Sequence, residues 1–359
     1  CSKTLLAGLL LGLARASGEV GITMMLGGNI SGRTNTLSLE IFNSVSRGDF
    51  DCAAFLCTIL AVFAGLIYAA LYFLQPKRIS FMFYIPTSFL ENILKEDIPW
   101  NDSTTEALGI SGVPGKISCF PKKDGFVSGI EIGVRLFKEV GLEVTCIGKD
   151  GDFYSAGQTV LEARGTAEKI HSVYKTVQHI LEYSSGITNR VRAMTRQIEA
   201  AGSKAKFAVT RKHFPGTKTI SLNAALLGGA IVHRAGLSES ILVFDQHRVF
   251  CKDPVAAISV AKKHEPEKKI AVEVDNEEEG FKYIHAGADI IQCERFSPAA
   301  LKAFVAKARN IRNDVIINAA GGINDTNASE YALTGSNVLV TSWVYFGRPF
   351  DIKMKISSD

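Results

Sequence analysis

The sequence predicts an α/β protein built from three consecutive parts: an apolar N-terminal segment, an α+β layer and a (β/α) barrel. Three observations predict this order. An uncharged apolar run occupies residues 53–74, two strand-like and two helix-like patterns follow before residue 204, and from Lys206 short apolar strands alternate with helices. Hydrophobic residues make up 47% and charged residues 21% of the 359, which excludes a disordered or collagen-like chain.

Charge and cysteine content exclude several further classes of protein. The chain has 40 basic and 36 acidic residues and a net charge of +4, too small to predict binding to nucleic acid or to an anionic membrane surface. Its seven cysteines contain no CxxC pair and no short Cys/His cluster. We therefore expect neither a zinc site nor a disulfide framework, and this cysteine usage is typical of a reducing compartment.

The apolar run at Ala53–Leu74 (AAFLCTILAVFAGLIYAALYFL) contains neither a charge nor a proline. A helix of this length crosses the ~30 Å hydrocarbon core of a bilayer, whereas a buried core helix seldom stays apolar on every face for so long. We therefore expect a membrane span, and Lys77 and Arg78 after it place the rest of the chain in the cytoplasm. Thr4–Ala14 is a second apolar stretch, where a signal peptide is disfavoured because no small-residue cleavage site precedes a soluble domain.

The region that follows mixes strand and helix patterns. Gly115–Phe120 and Leu142–Ile147 alternate like strands. Glu131–Val140 and Thr166–Tyr183 have helical spacing of apolar residues, and the second helix is expected to end at 185–187. This mixture predicts an α+β layer.

The last part repeats a strand, turn and helix. The strands are expected at Phe207–Val209, Ile241–Phe244, Ile270–Val274, Asp289–Cys293, Val315–Ala319 and Val338–Thr341. The helices are expected at Pro254–Lys263, Glu277–Ala286, Pro298–Arg309 and Asn324–Thr334. Near-continuous apolar strands indicate a parallel sheet covered on both faces, either doubly wound or closed as a barrel. Charged or small polar residues follow almost every strand, and this favours the barrel, whose strands end at one mouth.

Cationic residues follow two segments of the predicted barrel. Arg211 and Lys212 come directly after the first strand, His233 and Arg234 come later, and Lys175 lies on the upstream helix. An isolated Arg-Lys pair is usually a solvated turn. Several cations at one mouth need anionic partners, because unpaired buried charge is costly. We therefore expect carboxylates or phosphates of a substrate there.

Carboxylates stand near the ends of two neighbouring strands. Glu273 and Asp275 are two residues apart on one strand and so share a face, and Glu294 ends the next strand. Structural ion pairs would account for them about as well as a functional role. The functional interpretation has them bind sugar hydroxyls, hold Mg²⁺ or stabilise a cationic transition state.

Two glycines, Gly321 and Gly322, separate a late strand from the helix after it. Glycines there let backbone N–H groups approach a phosphate. A Gly-Gly pair alone is weak, but with Gly335-Ser336 and Thr341-Ser342 further along it is typical of the phosphate site of such barrels.

Four motifs in this order carry a family resemblance: TRKxxPG at Thr210–Gly216, GGxxxHR at Gly228–Arg234, Glu273-Val274-Asp275, and AGGI at Ala320–Ile323. They resemble the quinolinate phosphoribosyltransferase family, also called nicotinate-nucleotide pyrophosphorylase, over residues 82–356. The closer match is its ModD branch, encoded beside molybdate transport genes. That branch is indicated by Leu181–Ile187, Phe214–Lys218, Gln246–Phe250 and Asp351–Lys353.

The segment from Ala14 to Phe42 has a second resemblance, to the end of a molybdate-type ABC transporter permease, where ARxxGExGxTxMLxGNIxGRTxTLxLxIF joins the last two membrane helices. The permease coupling loop would lie upstream, so the resemblance implies a permease remnant. Together the two resemblances imply a fusion. Its expected parts are a membrane fragment at 1–78, a seam at 79–91, an α+β sandwich domain at 92–204 and an incomplete TIM-like α/β barrel at 205–359.

The family resemblance implies a homodimer in which the partner's N-terminal sandwich caps each barrel. The reaction joins a pyridine dicarboxylate to phosphoribosyl pyrophosphate with Mg²⁺ and then releases carbon dioxide. By resemblance, Lys175, Arg211, His233 and Arg234 bind the substrate, and the metal ligands stay unassigned. Lys212, Glu273 and Glu294 are the catalytic candidates, and Gly321, Gly322 and Gly335 bind phosphate.

Three positions depart from the family pattern, which usually has Arg at Lys175, Lys at Phe244 and Asp at Glu294. The first two are typical of the ModD branch and predict an altered acceptor. Three functions stay open: a cytoplasmic phosphoribosyltransferase for an anionic nitrogen heterocycle, anchored in the inner membrane by its N-terminal part; a noncatalytic binding protein of molybdenum metabolism; and a membrane component of a molybdate transporter.

Overall fold

A computed structural model describes residues 12, 15–16, 18–27, 29–30, 33–74 and 83–358. The chain divides into two compact units, Cys1–Ser80 and Phe81–Asp359. The apolar stretch Thr4–Ala14, apart from Gly12, lies outside the described residues, as do Lys77 and Arg78.

The first unit is helical over its described residues, with α1 at Gly21–Gly27, α2 at Leu37–Ser46 and α3 at Phe50–Leu74. Helix α2 begins at Thr36, whose side chain accepts a hydrogen bond from the N–H of Leu39. Within the described part of the chain, α3 is the one helix whose length and composition suit a membrane span, over Phe50–Ile67.

The second unit begins with a sandwich of helices and antiparallel strands. Its helices are α4 (Thr87–Asp97), α5 (Ser103–Ala107) and α6 (Ile130–Glu139). Its strands are β1 (Pro114–Pro121), β2 (Gly125–Phe126), β3 (Glu143–Ile147), β4 (Phe153–Tyr154) and β5 (Leu161–Thr166). Both strands and the first helix expected here are present, within one or two residues at each end.

Helix α7 runs from Ala167 to Ala200, so the expectation that it ends at 185–187 is wrong. The small residues there serve close packing. Ser185 is buried and its Oγ accepts a hydrogen bond of 3.0 Å from the N–H of Ser128, and a Cβ on Gly186 would lie 3.2 Å from the carbonyl oxygen of Arg348. The two halves of α7 pack into two different hydrophobic cores, Val173 into the sandwich core and Val191 into the barrel core.

The barrel sheet contains seven parallel strands. They are β6 (Lys206–Val209), β7 (Ile231–Val232), β8 (Ile241–Val243), β9 (Ile270–Val274), β10 (Ile290–Glu294), β11 (Ile316–Ala320) and β12 (Val338–Thr341). The order in the sheet is β7-β6-β12-β11-β10-β9-β8. β7 and β8 are the two edges of this sheet and do not pair with each other among the described residues, so the sheet is a half-barrel open between them.

Helices cover the outside of this sheet and small residues face its inside. The helices are α8 (Lys218–Gly228), α9 (Asp245–Arg248), α10 (Pro254–His264), α11 (Glu277–His285), α12 (Pro298–Ile311) and α13 (Ala328–Ala332). Phe207 and Ile291 belong to the large core against the helices, whereas Ala208, Ala320 and Val340 form a separate small cluster. These small side chains leave room inside the strands.

Two elements differ from the sequence prediction for the barrel. The helix expected over Asn324–Thr334 is reduced to α13, because the Asn324 carboxamide accepts hydrogen bonds from the N–H and Oγ1 of Thr326 and holds a turn there. The range 205–359 also includes β13 (Ile352–Ser358), which pairs antiparallel with β1 and joins the sandwich sheet in the order β13-β1-β5-β3.

Candidate active site

A cavity of about 490 Å³ lies at the C-terminal ends of the barrel strands. Apart from Lys175 and Gly335, the site residues expected from the sequence all line it: Arg211, Lys212, His233, Arg234, Glu273, Glu294, Gly321 and Gly322. They converge because parallel strands of one sheet bring their carboxyl ends to a common edge.

The turn after β6 presents two exposed cations, Arg211 and Lys212. The N–H of Lys212 donates to Thr210 Oγ1 at 3.1 Å, and the buried Tyr345 hydroxyl donates to the Thr210 carbonyl at 3.0 Å. Within the described residues, neither cationic side chain forms an ion pair. These hydrogen bonds fix the backbone of the turn, and both cationic side chains can bind an anion.

His233 and Arg234 follow β7 and are less exposed. Arg234 is 6% exposed, and it donates to the carbonyl oxygens of Gly236 and Leu237 at 3.1 and 3.2 Å. Its Nη1 and the Nε2 of His233 are buried and have no partner in the described part of the chain. Burial lowers the pKa of His233, and the charge of Arg234 adds to this, so the imidazole is neutral at pH 7. An unpaired buried N–H of a guanidinium is a ready donor to a carboxylate or phosphate.

Glu273 and Glu294 form the acidic side of the cavity. Burial raises the pKa of Glu273, and the charges of Glu294 and Asp275 raise it further against the opposing effects of Gln292 and Lys212. Gln292 Nε2 donates to Glu273 Oε2 at 2.6 Å. Asp275 lies beyond the end of β9, is exposed and does not line the cavity, unlike Glu273. The site therefore holds two close carboxylates opposite its cations.

The Gly321-Gly322 turn forms the wall after β11. Both glycines have positive φ, 84° and 74°, which other residues rarely adopt. A Cβ on Gly321 would lie 2.6 Å from Glu294 Oε1 and from the side chain of Arg295, whereas one on Gly322 would meet open space. The first glycine is thus required by the carboxylate beside it, and both leave the backbone accessible to a ligand.

Two expected site residues lie elsewhere. Gly335 precedes β12, at the end of that strand away from the cavity, and its carbonyl accepts a hydrogen bond from Arg309. The expectation that it binds phosphate is corrected, since Thr341, which ends β12, and Ser342 after it line the cavity instead. Lys175 is exposed on α7, donates to Gln178 Oε1 at 3.2 Å and lies outside this cavity.

Gln292 and Arg295 are two polar residues of the cavity lining that were not predicted as site residues from the sequence. Gln292 interrupts an apolar strand two positions before Glu294, and this alternation was a usable signal that both side chains face inward. Arg295 has a φ of 56°, and its N–H donates to the carbonyl of Ala320 at 2.8 Å. Phe244 also lines the cavity and stacks on His247 with 5.7 Å between ring centroids.

Comparisons with known proteins identify the family. The C-terminal domain of quinolinate phosphoribosyl transferase matches residues 187–355, and the N-terminal domain matches residues 102–185. The putative pyrophosphorylase ModD of Pasteurella multocida is 36% identical over 279 residues, which cover 77% of this chain and 99% of that protein. A probable nicotinate-nucleotide pyrophosphorylase [carboxylating] of Methanothermobacter thermautotrophicus is 28% identical and covers 74% of this chain and 97% of its own length.

A solved structure agrees with these matches. NadC from Streptococcus pyogenes superposes with a TM-score of 0.70 at 25% identity, covering 77% of this chain and 99% of that one. The two matched domains follow each other along this chain. The barrel strands and the cavity at their carboxyl ends lie in the second of them. The chain belongs to the quinolinate phosphoribosyl transferase family.

Proposed function

We propose that this protein is a phosphoribosyltransferase that joins an anionic nitrogen heterocycle to phosphoribosyl pyrophosphate. The observation that carries the proposal is one cavity whose lining contains both Arg211 and Arg234 and both Glu273 and Glu294. Family membership supports the same class of reaction, since relatives carry the names pyrophosphorylase ModD and nicotinate-nucleotide pyrophosphorylase. The link to molybdate rests on the resemblance to the ModD branch.

Each side of the cavity suits one part of the reaction. The ring nitrogen of the acceptor forms a bond to the anomeric carbon as the bond from that carbon to pyrophosphate breaks. Arg211, His233 and Arg234 bind the anionic groups of the acceptor, and Lys212 lies near the reacting groups. Glu273 and Glu294 bind ribose hydroxyls and stabilise the positive charge that develops on the ribose. The backbone at Gly321-Gly322 holds the 5′-phosphate.

Mg²⁺ is the proposed metal, and the residues present fit it. No group of three or more His, Cys, Asp or Glu side chains that could hold a metal occurs among the described residues. Mg²⁺ usually binds through one or two carboxylates together with substrate phosphates. Glu273 and Glu294 would supply these carboxylates. The ion would neutralise charge on the pyrophosphate. Burial, and after it the charge of Glu294, raises the pKa of Glu273.

The test is release of pyrophosphate from phosphoribosyl pyrophosphate by the full chain, with Mg²⁺ and a panel of anionic nitrogen heterocycles. We expect release with at least one of them, and a loss of about ten- to a hundredfold in Arg211→Ala, the worth of a charge-assisted hydrogen bond. Lys302→Ala, at an exposed lysine of α12, is the matched control. A heterocycle that binds without any release of pyrophosphate would favour a noncatalytic binding protein instead.

We further propose that two protomers share each active site. Lys175 lies outside its own cavity on an exposed face of α7, as a residue that serves a neighbouring protomer would. The family resemblance implies this exchange in a homodimer.

We also propose that α3 anchors the protein in the inner membrane with the enzyme part in the cytoplasm. Only 11% of its Phe50–Ile67 window is buried within the structure, and Phe55 and Val62 are exposed. An apolar surface of this extent favours lipid over water. Protease should digest the enzyme part in inverted vesicles and spare it in right-side-out vesicles. Digestion in right-side-out vesicles, or recovery of the chain in the soluble fraction, would contradict the anchor and its orientation.

A further inference from the structure

Arg295 follows β10 directly and belongs to the lining of the cavity. Its φ of 56° lies in the left-handed region, which residues other than glycine, asparagine and aspartate rarely adopt. The N–H of Arg295 donates to the carbonyl oxygen of Ala320 at 2.8 Å, so its backbone is held against the end of β11. Backbone strain of this kind is concentrated at functional sites.

The side chain of Arg295 lies against the Gly321-Gly322 turn. A Cβ on Gly321 would be 2.6 Å from Arg295 Cγ. Arg295 Nε is 3.6 Å from Glu294 Oε1, and the Arg295 side chain is 84% exposed. Neither of its Nη atoms has a hydrogen-bond or ion-pair partner among the described residues. The guanidinium therefore has donors available for a ligand that binds at this turn.

The backbone of the same turn also has unused donors. The carbonyl oxygen of Gly322 accepts a hydrogen bond of 3.0 Å from Asn327 Nδ2, which fixes the orientation of that peptide. The N–H groups of Gly322 and Ile323 donate to no group in the part of the chain that the structure describes. A side chain on Gly322 would meet open space. Consecutive free N–H groups in a turn form a concave site for an anion.

The basic residues of the cavity lining stand in two groups. Arg211, Lys212, His233 and Arg234 follow β6 and β7. Strand β12 separates these two strands from β11 and β10 in the sheet. Among the described residues, Arg295 is the one basic residue of the lining on the side of β8 to β11. A ligand with an anionic group at each end would therefore find a basic residue on each side of the cavity.

We propose that Arg295 binds the 5′-phosphate of phosphoribosyl pyrophosphate, together with the N–H groups of Gly322 and Ile323. The inference rests on the proposed phosphoribosyltransferase function and adds a substrate-binding residue to it. Glu294 by itself would repel a phosphate at this turn, and the guanidinium beside it offsets that charge. A planar guanidinium donates two parallel hydrogen bonds to one phosphate. The pyrophosphate, at the other end of the ribose, lies away from Arg295.

The test is calorimetric titration of the full chain with two probes, ribose 5-phosphate and magnesium pyrophosphate. Arg295→Asn removes the charge and introduces a residue that tolerates positive φ, so we expect it to fold. Its affinity for ribose 5-phosphate should fall about tenfold, the effect of one charge-assisted hydrogen bond, and its affinity for pyrophosphate should not change. Arg295→Lys keeps the charge but loses the planar fork, and its affinity should lie between the two.

Arg348→Asn is the matched control, since Arg348 is exposed in the same unit and does not line the cavity. It should keep the wild-type affinity for both probes. The inference is overturned if ribose 5-phosphate does not bind the wild-type chain, if Arg295→Asn binds it as tightly as wild type, or if Arg348→Asn loses as much. An equal loss of pyrophosphate affinity in Arg295→Asn would also overturn it, because the effect would then be one of general charge. Should thermal unfolding show that Arg295→Asn is not folded, Arg295→Lys makes the same comparison with a smaller expected loss.

The outcomes separate this inference from the proposed function. If the chain releases pyrophosphate from phosphoribosyl pyrophosphate and the affinity for ribose 5-phosphate does not depend on Arg295, the inference alone fails. If that affinity depends on Arg295 but no heterocycle causes release of pyrophosphate, the proposed reaction fails and the phosphate site at Arg295 stands.

Discussion

At the scale of single residues, the cavity differs from the family pattern in its charge. Phe244 stands where the family usually has a lysine, and it lines the cavity, stacked on His247. Arg248 does not replace the missing cation. Its guanidinium forms ion pairs with Asp245 and Glu279, and it lies outside the cavity lining. The cavity therefore lacks a cation at the Phe244 position.

We expect this loss to weaken the use of quinolinate. A charge-assisted hydrogen bond is worth roughly 1.5–3 kcal/mol, or about ten- to a hundredfold in kcat/KM. The full chain should therefore turn quinolinate over weakly or undetectably, and Phe244→Lys should raise kcat/KM by up to that factor. Steady-state kinetics measures both.

Phe250→Lys is the matched control, because Phe250 follows the same strand but is 89% exposed and does not line the cavity. Robust quinolinate turnover by the unmodified chain would contradict the prediction. An equal gain in Phe250→Lys would show that added net charge, and not the position, is responsible.

The turn after β11 shows how two identical neighbours differ in their surroundings. Gly321→Ala and Gly322→Ala both place a side chain at positive φ, so each should lower the free energy of unfolding by about 1–2 kcal/mol. Gly321→Ala also pushes against Glu294, and we expect it alone to lower kcat strongly. Denaturant unfolding and kinetics on the two variants measure these effects. Equal kcat values would show that the contact with Glu294 has no role in catalysis.

At the scale of secondary structure elements, the start of α6 depends on a buried carboxylate. Asp150 accepts hydrogen bonds from the N–H groups of Ile130 and Glu131 at 2.9 and 2.7 Å. Burial nevertheless raises the pKa of Asp150 to about 6, since desolvation of the charge exceeds the gain from these bonds. The helix is thus capped by a group that titrates close to neutral pH.

This gives a pH dependence of stability with a definite sign. The folded state holds the proton more tightly than the unfolded state, whose ordinary value is 3.8. The stabilisation from this proton is therefore complete below pH 4 and is lost as the pH rises through 6, and it amounts to about 3 kcal/mol. Asp150→Asn should lack this fall, as measured by urea unfolding of both proteins between pH 4 and 7.5.

Asp152→Asn, at a partly exposed carboxylate two residues away, should keep the wild-type pH dependence. Parallel stability curves for wild type and Asp150→Asn would show that Asp150 has an ordinary pKa in the folded protein.

At the scale of the whole molecule, Lys175 indicates that one protomer is incomplete. It lies on α7 outside its own cavity. If it serves the neighbouring barrel, inactive Lys175→Ala and Arg211→Ala protomers should regain activity when mixed, because one site of each mixed dimer keeps both residues. Up to about a quarter of the wild-type activity is expected from random mixing.

The control mixes Arg211→Ala with Arg234→Ala. Both of these residues line the cavity of their own protomer, so each site of the mixed dimer lacks one of them and no activity should return. The decisive comparison is therefore a double variant, Lys175→Ala with Arg211→Ala in one chain, mixed with wild type. If the site is shared, each site of such a mixed dimer lacks one residue, and only the remaining wild-type dimers are active. If Lys175 acts in its own subunit, each mixed dimer keeps one intact site and the total activity is higher.

The sequence by itself determined the barrel strands and most of the cavity. A buried parallel strand is a short apolar run, so β9 and β12 were predicted with their observed bounds. The residue after such a run lies at the mouth, which placed Arg211, Glu294 and Gly321 correctly. These features depend on periodicity and chain direction, and both are local properties of a sequence.

Only the tertiary structure decided the features that depend on partners distant in sequence. Pairing of β13 with β1 joins residues more than 200 positions apart, and no local pattern at Ile352–Ser358 specifies that partner. Helix α7 continues through the small residues at 185–187, where Ser185 binds Ser128, a residue 57 positions away in sequence. The orientation of the Gln292 amide depends likewise on Glu273, one strand away. Periodicity tells which face a side chain takes, whereas the group it meets there is set by how the whole chain packs.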